Sequence, residues 1–280
     1  MRVAVTGGTG LVGRFIVDAL QRTGADVRLL SRPDFQLGDR PDLEGCAALV
    51  HCAFQHAPGR YRGGEGDDPD GFIRANLDGS VRLFEAAKAD GVQRVIFLSS
   101  RAVYGDYPAG TLLTEALPPR PETLYGQVKW DAEQALQRLN GSGFSGASVR
   151  ATGVYGPGEG HKWTDLFDAF ANGEPIQPRR GTEVHGDDLA NAVMLLLRHC
   201  ESGPFNVSDI VLDRRELLAR WAALSGDERT LPEADGTPVS AMDFRKIQGL
   251  GWAPSGFAGL DAALARMWEE HPKNVDARTA

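Results

Sequence analysis

The stretch Thr6-Gly7-Gly8-Thr9-Gly10-Leu11-Val12-Gly13 follows a short apolar run, Val3-Ala4-Val5, and precedes a helical pattern of Leu11, Phe15, Ile16, Ala19 and Leu20. It therefore sits where a strand turns into a helix. Glycines at such a turn let the backbone approach a pyrophosphate, whose charge the helix N-terminus stabilises. A second stretch, Tyr125-Gly126-Gln127-Val128-Lys129, sets a phenol and an ammonium four residues apart on one helical face. There the cation can lower the phenol's pKa from about 10. Together the two stretches place a proton-transfer group beside a dinucleotide that carries hydride.

Working outward, short apolar strands (Val3 to Thr6, Val27 to Leu30, Leu49 to Ala53, Val95 to Ser99, Ala147 to Ala151) alternate with helical stretches. That alternation predicts an α/β fold, a Rossmann-like doubly wound parallel sheet. The connection from Asp39 to Gly45 is too short for a crossover helix, so a turn or single helical turn and an open groove are expected there. From Gln55 to Gly71 the chain is dense in Gly, Pro, Asp and Arg, which reads either as a lid or as an unstructured segment. Beyond Gly156 punctuation by Gly and Pro thickens, predicting a smaller interleaved lobe. Residues 1–155 and 182–205 are thus expected to form the dinucleotide-binding domain, and 156–181 with 206–280 a substrate-binding lobe.

Composition sets outer bounds. The chain has 280 residues, a net charge of −8 and no run of Lys or Arg, which argues for a small-molecule substrate and against a nucleic-acid partner. Three cysteines (Cys46, Cys52, Cys200), none in a C-x-x-C pair, suit reduced thiols in a reducing compartment. No charged n-region and h-region opens the sequence, and the longest apolar runs, such as Ala192 to Leu197, are too short to span a bilayer. A globular cytoplasmic protein without membrane contact is expected.

Cofactor choice rests on the end of the second strand, Leu29-Leu30-Ser31-Arg32. An acid there would bind a ribose 2′-hydroxyl, whereas an Arg accommodates a 2′-phosphate. Ser31 can donate to phosphate and Arg32 can pair bidentately, so NADP(H) is favoured over NAD(H); the competing reading of Arg32 is a solvated loop residue. His51, Cys52 and His56 raise a metal reading, but strand alternation points the first two to opposite faces and no further ligand pair stands nearby, so no metal is expected. Trp163, Phe167 and Phe170 recur at helical spacing, as lobe core or as pocket lining. His185, near a helix start, reads as structural.

These landmarks, in this order, resemble the extended short-chain dehydrogenase/reductases, the group of NAD-dependent epimerases, dehydratases and ketoreductases. Thr6 to Gly13 is similar to the family's T-G-x-x-G-x-x-G turn and Leu49-Val50-His51-Cys52-Ala53 to its V-x-H-x-A strand segment. Phe97-Leu98-Ser99-Ser100 followed by Val103-Tyr104-Gly105 resembles its catalytic strand end, and Tyr125 with Lys129 its Y-x-x-x-K. Val184-His185-Gly186-Asp187-Asp188-Leu189-Ala190 and Leu250-Gly251-Trp252-Ala253-Pro254 resemble C-terminal landmarks.

The resemblance implies that Tyr125 transfers the proton of a substrate hydroxyl or carbonyl, that Lys129 holds the nicotinamide ribose, and that Ser100, four residues before Tyr104, hydrogen-bonds the same substrate oxygen. It implies a cofactor site built from Gly7, Gly10, Leu11, Val12, Gly13, Ser31, Arg32, Asp39 near the adenine, Ala53, Asn76, Tyr125 and Lys129.

Two departures narrow the reaction. Arg101 and Ala102 stand where dehydratases of the family carry Asp-Glu, which argues against dehydration. Gly153 stands where members acting on nucleotide sugars have Asn for the diphosphate, and Gly181 replaces an Arg, with Arg179 and Arg180 adjacent and Lys162 a further cation. Arg101, Gly153 and Arg180 are the candidate substrate contacts. The resulting expectation is an NAD(P)-dependent oxidoreductase or epimerase acting on a sugar or sugar nucleotide. The alternatives are an NADPH-dependent reductase of a non-nucleotide ketone or aldehyde and, in another class, a non-catalytic NADP(H) sensor. The resemblance also suggests a homodimer through the helices around Ser80 to Lys88 and Glu122 to Leu139, with Leu83, Ala87, Ala132, Leu136 and Leu139 as apolar positions that could instead face the sheet.

Overall fold

A computed structural model describes residues 1–56 and 65–271. In chain order the first half runs β1 (Arg2–Thr6), α1 (Gly13–Arg22), β2 (Asp26–Leu30), β3 (Ala48–His51), the short α2 (Pro69–Ile73), a π-helical turn (Arg74–Asp78), α3 (Gly79–Ala89), β4 (Arg94–Ser100), a 3-10 turn (Arg101–Tyr104) and α4 (Leu124–Leu139). The second half runs β5 (Ser145–Ala151), β6 (Gly153–Tyr155), α5 (Thr164–Ala171), β7 (Arg180–His185), α6 (Gly186–His199), β8 (Gly203–Val207), β9 (Ile210–Asp213), α7 (Arg214–Ser225), α8 (Arg245–Gln248) and α9 (Gly256–Glu270). Six strands form one sheet in the order β2-β1-β3-β4-β5-β8, every neighbouring pair parallel.

The burial pattern explains the double winding. Along β1, Val3 and Val5 face one side and pack with Phe15, Ile16 and Leu20 of α1 and Val193 and Leu196 of α6. Ala4 faces the other side, with Leu83 and Phe84 of α3 and Ala132 and Leu136 of α4. Strands apolar on both faces need helices on both faces, and the parallel sheet follows. The chain winds outward in opposite directions from the neighbours β1 and β3, so a crevice opens beyond their carboxyl ends. No helix lies among residues 31–47 between β2 and β3, which leaves that crevice open on one side.

The expected strand Leu49 to Ala53 runs instead from Ala48 to His51. Its neighbour β1 ends at Thr6, opposite His51, and Cys52 N–H makes the last bond to Thr6 O at 3.1 Å. Cys52 and Ala53 are thereby released into the crevice. The helix expected from Glu122 starts at Leu124, because the Thr123 side chain caps it by accepting from Gly126 N–H at 3.1 Å.

A second sheet, β6-β7-β9, pairs β6 and β7 in parallel and β7 and β9 antiparallel. It packs with α5, α7 and α9 around Trp163, Phe167, Phe170, Leu218, Trp221 and Leu264. The Phe167 and Trp221 rings stack with centroids 3.8 Å apart. The three recurring aromatics are therefore lobe core, although Trp163 also lines a small neighbouring pocket. β6 belongs to this small sheet and β8 to the large one. The chain leaves the large sheet after Ala151, where the Thr152 hydroxyl binds Thr182 O at 2.6 Å.

Leu83, Ala87, Ala132 and Leu136 are at most 1% exposed and belong to the core beneath α3 and α4, with Leu139 packed against it. Of the two orientations open in the sequence, they take the sheet-facing one and are not available to a partner chain. Of the run Gln55 to Gly71, residues 57–64 lie outside the described residues. No helix among the described residues is long and apolar enough to cross a membrane, and none of their His, Cys, Asp and Glu side chains cluster as a metal site.

Candidate active site

The glycine turn is shaped by close backbone approach. Gly7 has φ +67°, and a Cβ on it would lie 2.6 Å from Ala53 N. Gly10 N–H closes the turn on Gly7 O at 3.1 Å, and a Cβ on Gly13 would strike the same carbonyl region. Only glycine satisfies both constraints. The turn forms the floor of a groove of about 380 Å³ lined by Gly7, Thr9, Gly10, Ser31, Arg32 and Ala53 among others. A backbone cradle next to a helix start, flanked by a serine and a guanidinium, fits a dinucleotide phosphate chain.

Other residues expected around the cofactor lie differently. Leu11 and Val12 are outside the groove lining, and Val12 packs against the core below α1. The Asp39 carboxylate closes a turn by accepting from Gln36 N–H at 2.8 Å and does not line the groove. Asn76 is buried and spends its amide on the chain: it accepts from Gln55 N–H (2.7 Å) and donates to Gln55 O (2.9 Å) and Phe72 O (3.1 Å). Its place is to pin the segment that leaves β3.

His51 is fully buried and joins Thr6 Oγ1 (2.6 Å) to Ser80 Oγ (2.9 Å), locking β1, β3 and α3 together beneath the groove. Burial, then the Lys129 charge, push it down to about 3, so it is neutral at ordinary pH. His185 caps α6, accepting from Asp187 N–H at 3.2 Å.

Ser100 and Tyr125 line one cleft of about 450 Å³, together with Arg101, Gly153, Arg180 and Glu183. His56 borders both this cleft and the dinucleotide groove, so the two adjoin. Ser99 and Ser100 diverge by strand alternation: Ser99 points inward and donates to buried Glu133, whereas Ser100 faces the cleft. Lys129 is buried beneath, donating to Leu98 O at 2.6 Å, with its ammonium 4.2 Å from the Phe54 ring centroid and 5.9 Å from that of Tyr125.

The expected lowering of the phenol by Lys129 is not what this arrangement produces. Burial raises the Tyr125 pKa, and only the neighbouring Ser100 hydroxyl acts the other way. Burial also brings Lys129 down to about 7, opposed by Cys52 and Glu133. The Lys129 ammonium is directed at the Leu98 carbonyl, and its charge acts on His51, Cys52 and His56 and not on the phenol.

Two features escape sequence reasoning. Glu133, one turn beyond Lys129, forms a buried ion pair with Arg150 at 2.7 Å, and Arg150 lies 4.8 Å from the Tyr104 ring centroid. The i+4 spacing from Lys129 on α4 was the available signal, but its arginine partner comes from β5. The second is an ion pair between Lys162 and Glu183. It occupies the space a side chain at Gly153 would need: a Cβ there would lie 2.6 Å from Lys162 Nζ and 2.9 Å from Glu183 Cδ.

A doubly wound parallel sheet, a glycine cradle at its switch point and an adjoining cleft lined by Ser100 and Tyr125, with Lys129 buried beneath, define a short-chain dehydrogenase/reductase fold. The model of the NAD dependent epimerase/dehydratase family matches residues 3–208, and the chain belongs to that family. It is accordingly a nicotinamide-dependent oxidoreductase or epimerase.

Similar proteins include dTDP-6-deoxy-L-talose 4-dehydrogenase (NAD(P)(+)) of Kitasatospora kifunensis, 32% identical over 95% of this chain and 94% of that one. The 4-hydroxy-2-methyl-3-oxo-4-farnesyl-3,4-dihydroquinoline-1-oxide ketoreductase of Stigmatella aurantiaca is 31% identical over 87% of this chain and 71% of its own length. Among solved structures, the Thermus thermophilus UDP-glucose 4-epimerase complex with NAD superposes with a TM-score of 0.76 at 26% identity, covering 96% of this chain and 99% of that one.

Proposed function

We propose that this chain catalyses hydride transfer to or from a carbinol or carbonyl carbon of a sugar or sugar-nucleotide substrate, with Tyr125 as acid and base. The observation that carries this reading is the shared cleft of Ser100 and Tyr125, adjoining the groove of the glycine cradle. A nicotinamide bound in that groove would supply or take up the hydride. Ser100 orients the substrate oxygen, and Tyr125 Oη gives that oxygen its proton in reduction or removes it in oxidation. Lys129, drawn to about 7, can gain or lose a proton near neutrality and sits where it can follow the charge on Tyr125. The resemblance further suggests that Lys129 bears on the nicotinamide ribose.

Ser31 and Arg32 on the groove wall support NADP(H) over NAD(H). The lobe around β6-β7-β9 is the substrate-binding part of this reading, which also takes the protein to work in the cytoplasm and to pair through the outer faces of α3 and α4. The sugar assignment draws on the talose dehydrogenase and glucose epimerase named above. Reduction of a non-nucleotide ketone is the second reading, supported by the Lys162–Glu183 pair filling the position beside Gly153.

Tyr125→Phe tests the assignment: turnover falls by about 10² to 10⁴ while cofactor affinity stays within about twofold. A variant with full turnover would refute it. Chromatography of nucleotide released on denaturation separates epimerase from reductase chemistry. Retained, near-stoichiometric cofactor points to an epimerase, and an empty, exchanging site points to a reductase.

A further inference from the structure

Lys129 is 3% exposed and lines neither the dinucleotide groove nor the cleft of Ser100 and Tyr125. Its ammonium donates to Leu98 O at 2.6 Å and lies over two rings, with centroids 4.2 Å away for Phe54 and 4.7 Å for Phe97. An ammonium has three N–H donors, and one carbonyl satisfies one of them. The titratable groups around it are Cys52, His51, His56 and Glu133, and the acid among them is already paired with Arg150. The negative faces of the two rings supply the compensation that a desolvated cation needs.

The rings differ in how they are held. Phe97 lies in β4, is 1% exposed and is locked in the core by His51, stacked at 5.6 Å, and Phe84, edge-on at 5.4 Å. Phe54 stands just past the end of β3, is half-buried and forms part of the groove wall. Its ring meets Tyr125 edge-on at 5.1 Å, Phe72 edge-on at 5.5 Å and His56 at 5.0 Å. Phe54 thus belongs to the groove and also meets both Tyr125 and Lys129.

Asn76 braces this ring. Its amide bonds to both the N–H and the carbonyl of Gln55, the residue after Phe54, and to the carbonyl of Phe72, whose ring packs on Phe54. The backbone beside Phe54 and one of its ring partners are fixed by a single buried side chain.

We infer that Phe54 is a positioning residue, whose ring holds the Lys129 ammonium against the Leu98 carbonyl and separates it from water in the groove. The inference rests on the reading of Tyr125 and Lys129 as parts of the reacting site. The ring has two effects of opposite sign. It excludes groove water, which disfavours the charged lysine, and its face attracts the ammonium, which favours it. Burial prevails in the intact site and brings Lys129 to about 7.

The test separates the two effects by observing Lys129 directly. The full chain is labelled with 13Cε-lysine and titrated by NMR, with the Lys129 signal, one of five lysines, identified by its loss in Lys129→Arg. Phe54→Met fills the space without a π face, so Lys129 titrates about 0.5 to 1 pH unit below the parent. Phe54→Ala admits water, and the titration moves up by about 1 pH unit or more toward the ordinary lysine value. Phe54→Tyr keeps the ring and stays close to the parent. The same order holds with NADPH bound, because the ring lies on the groove side.

A ring that merely filled space would give Met and Tyr variants with the same titration as the parent, and that result overturns the inference. So does an Ala variant that leaves Lys129 unmoved, or an order seen only without NADPH. If the Ala variant fails to fold, as melting would reveal, the contrast between Met and Tyr decides. No substrate enters this measurement, whereas turnover of Tyr125→Phe tests the underlying site reading, so the two can fail independently.

Discussion

Replacing Glu133 by Gln should be the most damaging single change in the core beneath the cleft. The Glu133 side chain is 4% exposed and that of Arg150 2%. Glu133 accepts from Arg150 Nη2 (2.7 Å), from Arg150 Nε at both carboxylate oxygens (3.1 and 3.2 Å) and from the Ser99 hydroxyl. Gln keeps the shape and part of the hydrogen bonding but leaves the arginine charge uncompensated. Breaking one side of a buried pair costs about 3–5 kcal/mol. At about 2–4 °C per kcal/mol for a chain somewhat longer than 150–250 residues, the melting temperature drops by about 6–20 °C. Calorimetric or circular-dichroism melting measures it. The double variant Glu133→Met/Arg150→Met removes both charges and recovers most of the loss, leaving about 1–3 kcal/mol for the unpartnered Ser99 hydroxyl. A Gln variant melting within about 2 °C of the parent, or a double variant no better than the single, refutes this account.

Two further predictions concern cofactor selection and acid stability. Arg32→Ala weakens NADPH binding by about tenfold and leaves NADH binding within about twofold, measured by fluorescence titration; an equal loss for both would mean that Arg32 is a solvated loop residue. His51 titrates at about 3 in the fold and near 6.5 when unfolded. Between those values the unfolded chain carries a proton the native one lacks, so the His51 contribution is intact above about pH 6.5 and is lost as pH falls toward 3. Urea denaturation from pH 7 to 4 should show a shallower decline in His51→Gln than in the parent, and an identical slope would count against the burial argument.

Most of the large sheet was legible because its strands are continuous apolar runs between glycine-marked turns, and period reports burial on one or both faces. β8 was missed because its Gly203-Pro204 opening reads as a turn. The small sheet was missed for a related reason, since β6 is three residues long and exists only by pairing with β7, some thirty positions away. At the site, the alternation of β4 separates Ser99 from Ser100, a distinction that follows from local geometry once the strand is known. The direction of the Tyr125 shift was not accessible in that way. A four-residue spacing says that Lys129 and Tyr125 share a helical face; it does not say that burial raises the phenol and that the lysine is directed at the Leu98 carbonyl instead.

The chemistry available to this chain is already written in its residues: the glycine turn, the Ser, Tyr and Lys, and the absence of an acidic pair at Arg101 and Ala102. These are properties of residue type and short spacing, which local backbone geometry expresses directly. Which charges neutralise one another is settled by folding alone. Glu133 meets Arg150 and Glu183 meets Lys162 across 17 and 21 residues, whereas Arg101 forms no ion pair among the described residues. Electrostatic pairing depends on distance and burial in space, and neither quantity is written along the chain.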